Sequence, residues 1–286
     1  MDVTPPVVLA LDFGGTKTAL TVADTQGTRL HDLTVETSAE LGAEAGLKRA
    51  VDAARTLLAD LEPVAVGVST IGIPGTDGVA LAPNIPGWEE LALGRELALE
   101  FPESELRLAT DVKAAARYEY DAGALKDCDP GLYVNLGTGL AVAIVAGGTV
   151  LTGRHGASGE IGYNLRTVAD VGRGPGDRIP LEDVVSGKAL SRAAQANGST
   201  ELAHHIGEFI DELAFHLVNL AIAVDPERIV VGGGMVRSWA VLHAPLRTAL
   251  DAAVPYPPQL VPAAHPYDAP LLGALALAVE AARTGT

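Results

Sequence analysis

Val7–Asp24 reads VVLALDFGGTKTALTVAD: an apolar run, an acid, a Gly-Gly-Thr turn, then a second apolar run closed by another acid. Two strands hinged on a polar glycine turn fit this pattern best. Gly14 and Gly15 carry no Cβ, so a ligand can approach their amides closely, and Thr16, Lys17 and Thr18 add donors beside them. Such a turn suits phosphate. Asp12 ends the first strand on the same rim, where a lone carboxylate in a phosphate site holds Mg²⁺ or its water shell. Taken alone, the stretch fits an ordinary hairpin with a flexible tip equally well.

The same plan recurs about half a chain later. Leu132–Leu151, LYVNLGTGLAVAIVAGGTVL, has an apolar strand, Asn135 in the place of Asp12, a turn of Gly137, Thr138 and Gly139, then another strand, a glycine turn and a further strand. The spacing is far longer than a solenoid period, so it indicates two related domains facing each other across a central cleft, each offering one phosphate-gripping hairpin. A nucleotide would fill that cleft.

Composition bounds the function. The 286 residues are 48% hydrophobic and 20% charged, enough for one or two cores and unlike a disordered chain. A net charge of −16 argues against nucleic-acid or anionic-membrane partners, since phosphate must be gripped locally against the overall field. Cys128 is the lone cysteine, which excludes a disulfide framework and a cysteine-rich zinc site and suits a reducing cytoplasm. The N-terminus MDVTPPVV lacks a basic region followed by an apolar segment, so no export is expected.

Outward from the first hairpin, the patterning predicts a third strand over 28–37, a helix over 44–61 stopped by Pro63, a strand over 64–69 and a loop over 70–77. The stretch APNIPGWEE, 82–90, is a loop pinned by Trp88; Asn84 is its best candidate to face a ligand, and a plain surface loop fits as well. A helix over 89–101 and a strand over 106–109 follow. The strand ends in Thr110-Asp111, and a helix over 112–120 contains three consecutive alanines. Asp111 at this junction reads blandly as a helix cap. The short alanine side chains suggest that something passes close to the helix, and with them Asp111 becomes the candidate base. Beyond 181 the chain reads as helical over 190–196, 201–224, 240–253 and 270–282, the last returning to the first domain.

The motifs LDFGGTKTALTVAD, PNIPGW, TDVKAAARYEY, VNLGTGLAVAIVAGG, GASGEIGYN and VVGGGM, in this order, resemble the ROK family of bacterial sugar kinases, repressors and open reading frames. The resemblance covers essentially the whole chain. It implies an α/β, actin-like ATPase (ribonuclease H-like) duplicated fold, with residues 1–112 plus 271–286 as the smaller domain and 113–270 as the larger. It also implies transfer of the γ-phosphoryl group of ATP, with Mg²⁺, to a sugar hydroxyl, in a cytoplasmic homodimer. Carried over by residue, Asp12, Gly14, Gly15, Thr16 and Lys17 match the first phosphate motif, with Asp12 toward the metal. Gly137, Thr138 and Gly139 match the second, and Gly232, Gly233 and Gly234 the adenosine motif. Asp111 matches the catalytic aspartate, expected to orient the attacking hydroxyl as much as to deprotonate it. Glu160 and, more loosely, Glu182 match sugar-binding glutamates, and ionised carboxylates suit vicinal hydroxyls because each accepts more than one hydrogen bond. Outside the motif, Glu160 reads as a turn carboxylate.

The departures are informative too. Thr110 replaces the asparagine usual before the catalytic aspartate, and Tyr163 the histidine that usually touches sugar and zinc. The cysteine cluster is replaced by 168–180, VADVGRGPGDRIP, so no zinc site of the family type is expected, and its structural role should fall to packing or hydrogen bonds around Arg173, Asp177 and Arg178. His155, His204, His205, His216 and His243 read as surface or satisfied groups. The acceptor expected is the primary hydroxyl of a hexose or close analogue: glucose, or an amino sugar such as kanosamine, glucosamine or N-acetylmannosamine. A family repressor would carry a helix-turn-helix before the first hairpin, for which six residues are too few. A non-catalytic sugar-binding member is opposed by the retained Asp12 and Asp111. Polyphosphate, a donor for some zinc-free relatives, sits poorly with the acidic charge.

Overall fold

The computed structural model describes residues 5–196 and 199–285. The chain divides into two compact units, Met1–Tyr118 with Asp268–Thr286, and Glu119–Tyr267.

In the first unit β1 (Val7–Phe13), β2 (Lys17–Asp24) and β3 (Arg29–Glu36) form an antiparallel meander, and α1 (Ala43–Leu58) leads to β4 (Pro63–Thr70). A small hairpin of β5 (Ile73–Pro74) and β6 (Val79–Ala80), then α2 (Leu93–Glu100), β7 (Glu105–Thr110) and α3 (Asp111–Ala122), complete this run. The sheet order is β3-β2-β1-β4-β7, with β4 parallel to β1 and β7 parallel to β4. Two predicted helices are shorter than their apolar spacing suggested. α1 stops at Leu58 because Ala59 turns the chain with φ 52, although Leu61 still packs on the core. α2 starts four residues late because 85–92 form successive tight turns, with Trp88 N–H donating to Ile85 O and Leu91 N–H to Trp88 O.

The second unit repeats the plan. β8 (Gly131–Leu136), β9 (Leu140–Ala146) and β10 (Thr149–Val150) form its meander, and short 3-10 turns lead through 161–183 to α4 (Gly187–Ala196) and α5 (Ser199–Val224). Then come β11 (Arg228–Gly232), α6 (Trp239–Ala253) and β12 (Gln259–Pro262), giving the order β10-β9-β8-β11-β12 with β11 parallel to both β8 and β12. Strand for strand, the order and senses match the first sheet. α7 (Ala269–Thr284) then returns to the first unit.

Burial follows from these layers. Successive side chains of a strand point to opposite faces, so Leu9, Leu11 and Phe13 enter a core with α1 and α2 while Val8 and Ala10 face α7. A strand covered on both sides reads as an unbroken apolar run, as β1 does. α7 lies so close to the sheet that a Cβ on Gly67 of β4 would overlap Ala274 O. In the second unit Phe209, Leu213 and Leu217 of α5 and Leu242, Leu246 and Leu250 of α6 recur at helical spacing and cover β8 and β11.

The division falls after Tyr118, not after Val112, because α3 is one continuous helix. Its first turns belong to the first unit, where Ala114 O abuts Gly273 of α7. Its last turn belongs to the second: the buried Glu119 carboxylate accepts from Ala264 N–H at 3.1 Å and His265 N–H at 2.8 Å.

Candidate active site

In the first unit the glycine turn is braced from the side. Gly14 N–H donates to Lys17 O at 3.0 Å, Thr37 Oγ1 donates to Gly14 O at 2.7 Å, and Thr37 N–H donates to Thr16 O at 2.9 Å. A Cβ on Gly14 would meet Lys17 O at 2.8 Å, whereas one on Gly15 would meet nothing within 4 Å. Gly14 is thus required by the turn itself, and Gly15 presents open backbone. Thr16 and Lys17 are exposed at the tip.

Asp12 follows Val8 and Ala10 on the face of β1 that α7 covers. Ser69, its register partner on β4, donates to Asp12 Oδ1 at 2.8 Å. Burial pushes the Asp12 carboxyl up from 3.8 to about 7; the Ser69 hydroxyl and Lys17 oppose this, and the nearby charges of Asp111 and Asp268 add to it. Ser69 and Asp268 are neighbours of Asp12 that sequence reading missed. The repeat carried a signal for Asp268, which precedes α7 as Asp111 begins α3.

Asp111 opens α3, and Val112 N–H donates to its Oδ1 at 2.8 Å. The capping bond to the third residue of the helix comes instead from Thr110, only 4% exposed, whose Oγ1 accepts from Lys113 N–H at 3.3 Å. The three alanines are explained within the fold: what passes close to them is α7, at Gly273. They therefore argue nothing about Asp111. Asn84 is exposed on its loop; Trp88 is fully buried beneath, 5.4 Å from the Phe13 ring and donating from Nε1 to Thr70 Oγ1 at 3.3 Å.

In the second unit Gly137 N–H donates to Gly139 O at 3.1 Å, and Thr138 is exposed at the tip. Glu182, half-buried, turns inward to this hairpin, its Oε2 accepting from Leu140 N–H at 2.9 Å. Of the third glycine group, Gly232 is required because a Cβ would overlap the Tyr133 hydroxyl, and Gly233 because its φ is 85. Gly234 alone is open, with nothing within 4 Å of a Cβ.

Glu160 follows Gly159, which docks on β9 through Val142 N–H to Gly159 O at 2.8 Å. The exposed Tyr163 closes the next short turn. The cysteine-free segment after it is held by hydrogen bonds, as expected, though largely by other residues. Arg178 does take part, donating to Tyr163 O at 2.7 Å. Arg166, 14% exposed, donates to Glu212 Oε1 at 2.6 Å and Glu208 Oε1 at 3.0 Å on α5, and Thr167 and Asp170 form a capping box. Arg173 reaches Asp170 at 3.6 Å. His216, 4% exposed, places Nδ1 3.3 Å from Asn164 Nδ2. His155 is exposed, His205 and His243 are half-buried, and the side chain of His204 lies outside the described residues.

Among the described residues no three His, Cys, Asp or Glu side chains form a metal-binding group, and no helix is long and apolar enough to cross a membrane. A three-ligand cage is not what magnesium needs: one or two carboxylates suffice where phosphate oxygens and water complete the octahedron. Asp12 fits that role, because a cation beside it would favour the ionised form that burial now opposes.

Two sheets of one strand order, each with a glycine turn between its first two strands, are the duplicated actin-like ATPase fold. The chain belongs to the ROK family, whose model matches residues 8–281. It is 27% identical over 276 residues to the glucokinase of Thermotoga maritima, covering 84% of this chain and 86% of that one. It is 29% identical over 248 residues to the kanosamine kinase of Amycolatopsis mediterranei, covering 80% of each. Among solved structures, a ROK family glucokinase from Streptomyces griseus in complex with glucose and AMPPNP is 25% identical, with a TM-score of 0.79 over 96% of this chain and 99% of that one.

Proposed function

We propose that this carbohydrate kinase transfers the γ-phosphoryl group of ATP to the primary hydroxyl of a hexose or close analogue, with Asp111 as the base. The observation that carries the reading is the pairing of Asp12, half-buried and with its pKa raised beside the open backbone of Gly15, with Asp111 near enough for its charge to act on Asp12. The Streptomyces griseus glucokinase, which holds glucose with the triphosphate analogue AMPPNP, supports both substrates.

In this reading the sugar oxygen attacks the γ-phosphorus while its proton passes to the Asp111 carboxylate, and the bond from phosphorus to the β–γ bridging oxygen breaks to leave ADP. The donors at Gly14–Lys17 and Gly137–Gly139 stabilise charge spreading over the phosphate oxygens, and Gly232–Gly234 lie along the adenosine. Asp12 would hold Mg²⁺, which supplies charge neutralisation when bound. Asn84, Glu160 and Tyr163 take sugar hydroxyls. Thr110 spends one of its two acceptor lone pairs on the Lys113 amide of α3, which leaves its hydroxyl proton and one lone pair for a sugar hydroxyl.

Tyr163 places a phenol where most relatives have a histidine, and the kanosamine kinase among the relatives makes an amino sugar the first acceptor to try beside glucose. A coupled ADP-release assay over glucose, mannose, N-acetylated and free amino sugars tests the reading. Turnover with at least one acceptor, lost by about a hundredfold or more in Asp111→Asn, is expected. No turnover above background with any of them, or an unchanged rate in the variant, refutes it.

A further inference from the structure

The short turn at Leu181–Asp183 is anchored by the fully buried Leu181, and it sets Glu182 against two different glycines. A Cβ on Gly139 would overlap Glu182 Oε2 and lie 3.2 Å from its Cδ. A Cβ on Gly162 would lie 3.3 Å from Glu182 Cβ and 3.5 Å from Oε2. The first glycine ends the second phosphate turn; the second belongs to the segment that carries Glu160 and Tyr163. The carboxylate fills the space that both leave, and its Oε2 takes the Leu140 amide at 2.9 Å where the turn re-enters the sheet. Five residues on, Gly187 N–H donates to Gly137 O at 2.9 Å, so the stretch 181–187 holds the turn at its other end as well.

We infer that Glu182 is a positioning residue that fixes the Gly137–Gly139 turn and the Glu160–Tyr163 segment to each other, so that the phosphate-gripping and sugar-binding parts of the second unit share one support. The inference rests on the kinase reading for what each part binds, and on the hydrogen bond and the two glycine contacts for the coupling. A glutamate that touched sugar alone would be indifferent to the Leu140 amide. One that holds both parts transmits its loss to both substrates. The direct sugar contact expected from family resemblance then becomes an action through the backbone.

The test compares Glu182→Ala, Glu182→Gln and Gly139→Ala in the full chain, reading KM for ATP, KM for the accepted sugar, and hydrogen exchange of the Leu140 amide. Glu182→Ala should raise both KM values by about fivefold to tenfold, the loss of one charge-assisted hydrogen bond, and should speed Leu140 exchange by a similar factor. Glu182→Gln keeps an oxygen for the amide, so it should recover most of the ATP KM and of the exchange protection. Gly139→Ala, which displaces the carboxylate without removing its charge, should raise both KM values too. A rise in sugar KM alone, with ATP KM and Leu140 protection unchanged in Glu182→Ala, overturns the inference. If the parent protein phosphorylates no sugar, the kinase reading fails by itself, and Leu140 exchange in the three variants still decides whether Glu182 supports the turn.

Discussion

Replacing Asp12 with asparagine should make this protein more stable while it ceases to work. Burial raises the Asp12 carboxyl from 3.8 in an ordinary chain to about 7 in the fold, with Asp111 and Asp268 adding to the push and Ser69 and Lys17 resisting it. At about 1.4 kcal/mol per pH unit, keeping the group ionised costs at most about 4 kcal/mol above pH 7. The residue is half-buried, so solvent relieves part of this and about 2–4 kcal/mol is expected. Because the folded-state value is raised, the penalty is absent below 3.8, where both states are protonated. It grows as pH rises and is complete above about 7. Asparagine keeps an oxygen to accept from Ser69 and carries no charge to desolvate. Urea unfolding of both proteins in EDTA should therefore give an advantage to Asp12→Asn that at pH 5.5 is about half its value at pH 8. A variant that is less stable at pH 8, or an advantage that does not change with pH, would falsify the argument. Adding Mg²⁺ with nucleotide should stabilise the parent more than the variant, and Asp12→Asn should lose sugar phosphorylation by about a hundredfold or more.

Three further outcomes follow from single contacts. Gly67→Ala would push a methyl group into Ala274 O and to 2.7 Å from Ala278 N, both backbone; separating β4 from α7 should cost about 3 kcal/mol or more in thermal or urea unfolding, and a stable variant would show the helix does not seat as described. Arg166→Ala should cost about 1–3 kcal/mol, with Glu212→Gln behaving alike and the double variant costing much less than the sum; additivity in that cycle would refute the clamp. Burial holds the His216 imidazole below 6.5, with Arg166 reinforcing this and Glu212 opposing it. Stability should therefore fall as pH drops below 6.5, where the unfolded chain takes up a proton that the fold resists, and His216→Gln should flatten that slope in paired melts.

The fold was legible because its pattern is written twice. The apolar runs around Asp12 and Asn135, each followed by a glycine turn and another apolar run, locate both meanders, and the sheets reproduce the repeat in order and sense. What periodicity could not fix were the ends. Leu61 packs on the core from beyond the helix to which its spacing assigns it. Residues 89–92 have helical composition, yet the Pro86-Gly87 turn and the contact of Glu89 Oε1 with Ala82 N–H hold them in a loop. The unit boundary was hidden for a related reason: α3 is a single helix in sequence, and only the bonds to Glu119 from residues nearly 150 positions away show that its end belongs elsewhere.

The site was less legible, because several of its residues act through partners that are distant in sequence. Ser69 becomes visible only once parallel pairing sets it opposite Asp12, and a serine at a strand end carries no signal before that register is known. The alanines of α3 misled for the opposite reason: small residues announce a close approach without saying by what, and here it is α7. The cysteine-free segment combines both effects. Composition showed that no cysteine could hold it, which directed attention to its own charges at Arg173, Asp177 and Arg178. The strongest bonds instead run from Arg166 to Glu208 and Glu212, acids that sit on the polar side of a helix and look like ordinary surface charge. Arg166 stands three residues after Tyr163, and the Asn164 side chain between them meets His216 of the same helix. The segment that carries Tyr163 is therefore supported from one helix, α5. On the proposed reading of Tyr163, Arg166→Ala should raise the KM for the accepted sugar as well as lower stability, and an unchanged KM would show that this support does not reach the phenol.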